Sequence, residues 1–301
     1  MMPRLSVRQV LRCGCLLFMA GTAFGAGSDC RAWKAGMSVR LSRELTAEQF
    51  LAWKRAGIQA LEFGLSRVDT GEAAAEARQR STQVRTWADQ ARIDIWSVHI
   101  PYAKDLDIST PDESERLRIV GRLGELLDAY APLKARVFVI HGSYEISKPI
   151  PSEERQARIA ACRKSLAALA RKAERMHARL ALECLPRSCL GNSSREIRAL
   201  IDGIRPLSVC FDSNHFLDEK PEGFVRNVAS SIVSVHIADF DGKNEKHWLP
   251  GKGVNNWNAI VRALQDAGYR GPFMFECDGT PEEKMAVWDT IRTEVSGKSG
   301  R

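Results

Sequence analysis

An eightfold alternation of short apolar runs with longer amphipathic stretches constrains this chain more than any other feature. Residues 37–42, 59–65, 93–100, 136–141, 179–184, 207–212, 232–238 and 272–277 are rich in β-branched and other apolar residues, which predicts strands. Helices are predicted near 46–56, 71–91, 112–130, 152–177, 193–203, 219–229, 256–267 and 281–295. Thr110-Pro111-Asp112-Glu113 and Thr280-Pro281-Glu282-Glu283 each offer an N-cap Thr, a Pro at the first helical position and a Glu at the third. Ser193-Ser194-Arg195-Glu196 reads as a third capping box. Eight strand–helix repeats in about 265 residues match a (β/α)8 barrel, whose usual size is about 250 residues. An open doubly wound sheet is the competing α/β architecture, but no glycine-rich phosphate loop follows any strand. No linker or low-complexity stretch divides the repeat, so residues 26–301 are read as one α/β domain, a single (β/α)8 TIM barrel.

Residues 1–25 stand apart from this rhythm. They carry Arg4, Arg8 and Arg12, the short apolar run Leu16-Leu17-Phe18-Met19-Ala20, and then Ala23-Phe24-Gly25. That is the pattern of a signal peptide, with cleavage expected after Gly25 and export to a periplasmic or secreted location. The run is too short to span a bilayer core of about 30 Å as a permanent helix. Removal of three Arg and no acid leaves +4 of the formal +7 charge, which weakens a nucleic-acid reading. Hydrophobic residues at 44% and charged residues at 27% exclude disorder, collagen and a many-pass membrane protein. Cys30, Cys162, Cys184, Cys189, Cys210 and Cys277 remain; in an oxidising compartment they permit disulfides without demanding them, Cys184 and Cys189 being near in sequence. No Cys-x-x-Cys occurs, which argues against a zinc ribbon or a thioredoxin-type motif.

Barrel active sites lie at the C-terminal face, where strands end and loops begin. His99, His141, Glu183, Asp212, His236 and Glu276 all stand at or near predicted strand ends. Side chains alternate along a strand, and the residues just before these six are Val98, Ile140, Leu182, Phe211, Val235 and Phe275, all large and apolar. Those positions are expected to face the helix ring, so the six polar groups face the axis and converge on one mouth. Gathering buried carboxylates and imidazoles is costly unless something compensates, and a divalent metal does so directly. Glu62, near the end of the second strand, is a further candidate for the mouth. His177, between Met176 and Ala178 in a predicted helix, is read as a surface or packing residue.

Five stretches carry a family likeness: Leu182-Glu183-Cys184-Leu185-Pro186-Arg187, Phe211-Asp212-Ser213-Asn214-His215, His236-Ile237-Ala238-Asp239, Glu245-Lys246-His247-Trp248-Leu249-Pro250-Gly251-Lys252-Gly253, and Gly268 to Glu276. In this order the chain resembles the xylose isomerase-like barrels, and within them the sugar phosphate isomerase/epimerase group, over essentially all of 26–301. The resemblance implies one divalent metal (Mn, Mg, Co or Zn) held by Glu183, Asp212, His236 and Glu276, with His215 at a substrate-contacting position. It implies a metal-dependent isomerase or epimerase acting on a sugar or related polyol or keto compound. Proton transfer would run through a metal-stabilised enediolate, with Glu183 and Glu276 as the catalytic pair. Arg187, Trp248 and Lys252 are weaker substrate-binding candidates. The chain departs from some epimerases at Gly242, where they carry an Arg six residues beyond the strand-seven His.

The same residues also resemble apurinic-site endonucleases of the endonuclease IV type, whose three-zinc site uses nine ligands. His99, His141, Glu183, Asp212, His215, His236, His247 and Glu276 match, and Glu245 stands where that family has Asp. Two or three metals and a phosphodiesterase, or another hydrolase or lyase, are therefore the rival expectation. Export, modest charge and the lack of clustered Arg/Lys-aromatic loops favour a carbohydrate-like small molecule over nucleic acid. A non-catalytic secreted barrel that binds sugar or metal is the remaining alternative. The sequence assigns no oligomeric state.

Overall fold

The computed structural model describes residues 28–71, 73–146, 148–216 and 219–297, so the export signal read at 1–25 lies outside the described residues. Eight parallel strands form one sheet: β1 (Ala35–Arg40), β2 (Ala60–Gly64), β3 (Asp94–His99), β4 (Val137–His141), β5 (Arg179–Glu183), β6 (Ser208–Asp212), β7 (Ile232–His236) and β8 (Phe273–Phe275). From β1 to β7 each strand pairs with the next, β8 returns to β1, and among the described residues β7 and β8 meet only through a bridge between Ile237 and Phe275. The result is a nearly closed (β/α)8 TIM barrel. The helices are α1 (Ala47–Ala56), α2 (Ala74–Ala91), α3 (Glu113–Tyr130), α4 (Ser152–Arg175), α5 (Ser194–Ile201), α6 (Pro221–Val228), α7 (Trp257–Asp266) and α8 (Pro281–Gly297). None of the described helices is long and apolar enough to cross a membrane.

The alternation of side chains separates two cores. Val98, Ile140, Leu182, Phe211, Val235 and Phe275 all join the main apolar cluster between strands and helices, as the sequence predicts. Their neighbours of opposite parity, Val137, Val139, Ala181 and Cys210, form a second cluster inside the barrel. Each fully buried side chain of Val, Leu or Phe size contributes about 1.5–3 kcal/mol, so the outer layer is the principal source of stability. Parallel register sets the polar strand ends side by side: His141 pairs with Glu183 across β4–β5, and Asp212 with His236 across β6–β7.

Of the three predicted helix caps, one forms as a complete capping box. The Thr280 hydroxyl accepts from Glu283 N at 3.2 Å while the Glu283 carboxylate accepts from Thr280 N at 2.7 Å, a complete capping box. In α3 the cap is instead Asp112, which accepts from Glu115 N at 2.9 Å; the Thr110–Pro111 pair precedes the helix. Ser193 caps α5, but the Glu196 carboxylate is taken by Gly191 N (2.6 Å) and by Arg155, so the box is not reciprocal. α4 ends at Arg175, before the predicted end, and exposed His177 occupies a left-handed turn with φ 59° that leads into β5. All six described cysteines are free thiols, Cys184 and Cys189 included.

Candidate metal centre and substrate chamber

The strand ends bring the predicted groups together above the inner apolar cluster. Glu183, Asp212 and His236 are almost wholly buried, and Glu276 is half-buried beside them. His236 Nδ1 lies 3.1 Å from Glu183 Oε1, 2.9 Å from Glu276 Oε2 and 3.8 Å from Asp212 Oδ2. On the far side of the ring, His236 Nε2 is 3.1 Å from Glu62 Oε2, and that oxygen also accepts from Ser97 Oγ at 2.6 Å. A carboxylate only accepts, so the Nε2–H points to Glu62 and neutral His236 turns a lone pair toward three more carboxylates. That arrangement calls for a cation, whether a proton on His236 or a metal ion. Buried Asp212 Oδ2 accepts no hydrogen bond among the described residues, which adds an unused ligand oxygen to the set. Glu183, Asp212, His236 and Glu276 place ligand atoms within 4.8 Å of one another, a three-oxygen, one-nitrogen set suited to a divalent cation.

A second set adjoins the first. Glu183 Oε2 lies 2.9 Å from His99 Nε2 and 3.1 Å from His141 Nε2, and these three residues also form a candidate group. His99 Nδ1 is tied to the Ile100 carbonyl at 2.9 Å, so its Nε2 is the nitrogen presented to Glu183. His215 and His247 are held likewise, through Nδ1 to the carbonyls of Cys184 (2.8 Å) and Glu276 (2.9 Å). A third group joins His99, His236 and Glu276, whereas among the described residues His215, Glu245 and His247 enter none; His215 Nε2 is 3.8 Å from Glu245 Oε1.

Electrostatics reflect this crowding. Burial opposes a charged His99, but the hydrogen bond and charge of Glu183, with Glu62 and Glu276 beyond, push its pKa up to about 9. Burial also opposes charge on His236, yet the surrounding anionic groups hold its pKa well above the usual imidazole value. Burial, reinforced by Glu183 and Glu276 and opposed by His215, raises Asp212 to about 7. Glu183 goes the other way: burial works against its charge, but His236 and His141 hold it well below the ordinary carboxylate range. Glu276 is lowered too, with His236 outweighing burial. Burial lowers His141 and keeps it neutral.

Above the cluster opens a cavity of about 280 Å³. Of the predicted residues His99, His141, Glu183, Arg187, His215, Glu245, His247 and Glu276 line it, while Asp212 and His236 lie beneath. Trp248 and Lys252 do not line it: Trp248 pairs through its backbone with Asp239, and Lys252 is exposed on the same loop. That loop is fixed by buried Asp239, which accepts from Phe240 N, Gly251 N, Asn255 N and Trp257 Nε1 at 2.9–3.1 Å. At Gly253 a Cβ would stand 2.2 Å from the Phe240 carbonyl oxygen, so only glycine allows this closure. Arg155 fastens the loop after β5 by donating to the carbonyls of Ser188 (3.0 Å) and Cys189 (3.1 Å) and to Glu196. Arg187, on that loop, pairs with Glu245 at 3.1 Å and Glu145 at 3.4 Å. Tyr102, Ser143, Tyr144 and Glu145 also line the chamber. Their sites on loops rather than strands left no periodic signal to find them by.

A family profile described as a xylose isomerase-like TIM barrel matches residues 50–290. Protein MJ1311 of Methanocaldococcus jannaschii is 25% identical over 189 residues, covering 60% of this chain and 63% of that protein. The chain spans less than two thirds of the length of the curated relatives it matches. Among solved structures, a D-tagatose 3-epimerase-like protein is similar at TM-score 0.72 and 19% identity, covering 87% of this chain and 98% of that one. An L-ribulose 3-epimerase is similar at TM-score 0.71 and 19% identity, covering 89% of this chain and 99% of that one.

Proposed function

This chain belongs to the xylose isomerase-like TIM-barrel family, and from that premise we propose that it is a metal-dependent isomerase or epimerase that moves a proton at the carbon beside the carbonyl of an uncharged sugar or of a keto compound related to a sugar or polyol. The observation that carries this reading is the convergence of Glu183, Asp212 and Glu276 on the Nδ1 face of His236, at the floor of a chamber sized for a small molecule. Glu183, Asp212, His236 and Glu276 would hold the divalent cation (Mn, Mg, Co or Zn). Bound there, it would polarise a carbonyl and offset negative charge developing on oxygen. Glu183 and Glu276 are both held ionised, so one can accept the proton from carbon and the other, once protonated, can return one. Glu62 fixes the orientation of His236 from behind.

The charge of the chamber favours an uncharged substrate. Glu145, Glu183, Glu245 and Glu276 line it, and its Arg187 is already paired with two of them. A phosphate or phosphodiester would meet four carboxylates and no unpaired Arg or Lys among the described lining residues. Similarity to a D-tagatose 3-epimerase-like protein and to an L-ribulose 3-epimerase supports the ketose class. Export after cleavage near Gly25 is part of the proposal.

Proton NMR in D2O, with Mn-loaded protein quenched of metal before acquisition, tests this on a panel of ketoses. Deuterium is expected at the carbon beside the carbonyl of at least one. A protein that holds metal tightly but exchanges none across the panel is a binding protein, and cleavage of abasic DNA lost in Glu276→Gln would overturn the proposal. A second reading, two metals and hydrolysis, is favoured by Glu183 Oε2 facing both His99 and His141. It expects two metals per chain and turnover of bis(p-nitrophenyl) phosphate.

A further inference from the structure

The chamber above the carboxylates does not end at its rim. Its wall at Tyr102 and Tyr144 is shared with a second, shallow cavity of about 630 Å³, bounded also by Ala103, Lys104 and Asp105. Tyr102 follows β3, and its ring stacks on His141 at a centroid distance of 4.4 Å and an interplanar angle of 18°. One ring face is thereby held by a residue of the site, yet the residue is 61% exposed and borders the outer cavity. Of the large apolar residues left exposed in the described chain (Leu51, Tyr102, Leu117 and Val254), it is the one aromatic. Scattered exposed aliphatics need no explanation, but a fixed aromatic plate between a reactive chamber and an open shelf does.

The dimensions point the same way. The inner chamber, about 280 Å³, falls just below the ~300–1,000 Å³ usual for small-molecule sites and suits a single sugar unit. The outer shelf offers an aromatic face for the C–H face of a second ring, with Lys104 and Asp105 beside it to meet hydroxyl groups. Asp105 pairs with Arg122 at 3.4 Å.

We propose that Tyr102, with Tyr144 and Lys104, forms an outer subsite for a second sugar ring, so that the substrate is a glycosylated keto sugar with its carbonyl-bearing unit inside. This rests on the proton-transfer reading above and narrows its substrate class. The probes are D-fructose and two uncharged disaccharides that carry glucose on it through different oxygens, isomaltulose and leucrose. Affinity is read by calorimetry on the metal-loaded protein and deuterium uptake by NMR. At least one disaccharide is expected to bind about tenfold more tightly than fructose, the worth of one good stacking contact. Tyr102→Ala should erase most of that ratio, Tyr102→Phe should keep it, and Lys104→Ala should reduce it severalfold. Fructose exchanging deuterium with no advantage for either disaccharide, or an advantage that survives Tyr102→Ala, overturns the subsite and leaves the proton-transfer reading intact. If p-nitrophenyl glucoside gains from Tyr102 and the disaccharides do not, the shelf takes an aryl group and the second-sugar assignment fails. No binding of and no exchange with any of the sugars would sink both readings together.

Discussion

The interior of this barrel has two layers, drawn from the same strands two residues apart and built on opposite chemistry. Val139, Ala181 and Cys210 fill the lower layer with apolar atoms, while His141, Glu183 and Asp212 crown the same strands with ionisable groups. The lower layer stabilises the fold through burial that needs no partner. The upper layer takes charges out of water and, among the described residues, leaves Asp212 Oδ2 without a hydrogen bond and with only His215 Nδ1 and His236 Nδ1 near it, at 3.4 and 3.8 Å, which costs stability unless a cation compensates. One step of strand pleat thus separates apolar filling from ionisable chemistry inside the barrel, and changes in the two layers should have separable effects.

The sharpest break comes from Glu183, which serves two of the three candidate ligand groups among the described residues. Glu183→Gln should lower kcat/KM for deuterium exchange by roughly 10²–10⁴-fold while circular dichroism shows the barrel intact. Next comes Glu62, which touches the cluster only through His236 and Ser97. Glu62→Gln can turn its amide toward Nε2 and release the ring orientation, so metal affinity should fall about 10–100-fold in a calorimetric titration. The lower layer should answer differently. Val139→Ala removes two buried methyl groups, and denaturant titration should show about 2 kcal/mol of lost stability with kcat/KM per folded molecule little changed.

The smallest effect is a matter of pH. Without metal, burial and neighbouring acids raise Asp212 to about 7, and His236 lies well above the usual imidazole pKa, so the cluster retains protons near neutrality. A metal ion must displace them, so affinity should rise with pH through neutrality and uptake should release about one proton or more. Calorimetry in buffers of different ionisation enthalpy reads that number; a pH-independent affinity would mean that these residues are not the ligands. In the metal-free protein the raised His99 pKa stabilises the fold fully below the unfolded imidazole value near 6.5, and that contribution fades as pH rises through about 9.

The two layers were legible in the sequence because both follow the period of two along a strand. Val98 before His99 and Phe211 before Asp212 are enough to say which side faces the axis. Glu62 was harder to place, since the register of β2 on β3 shifts between Leu61 and Glu62 and simple alternation does not carry across it. Trp248 and Lys252 looked close to the site because His247 is close, but the loop turns at His247 with φ 48° and is tied down by Asp239, a contact no local pattern announces. Tyr102 lies past the end of β3, where its position depends on stacking against His141 from another strand. Strand residues were readable from spacing; loop residues depend on tertiary contacts that spacing does not encode.

The central claim is that Glu183, Asp212, His236 and Glu276 form one divalent-cation site. Elemental analysis of purified protein after dialysis against Mn, alongside Asp212→Asn, tests it most directly. The account predicts one metal per chain in the natural sequence and a large loss in the variant, with both folded. Full retention of metal by Asp212→Asn, or a folded natural protein that keeps none, would contradict it.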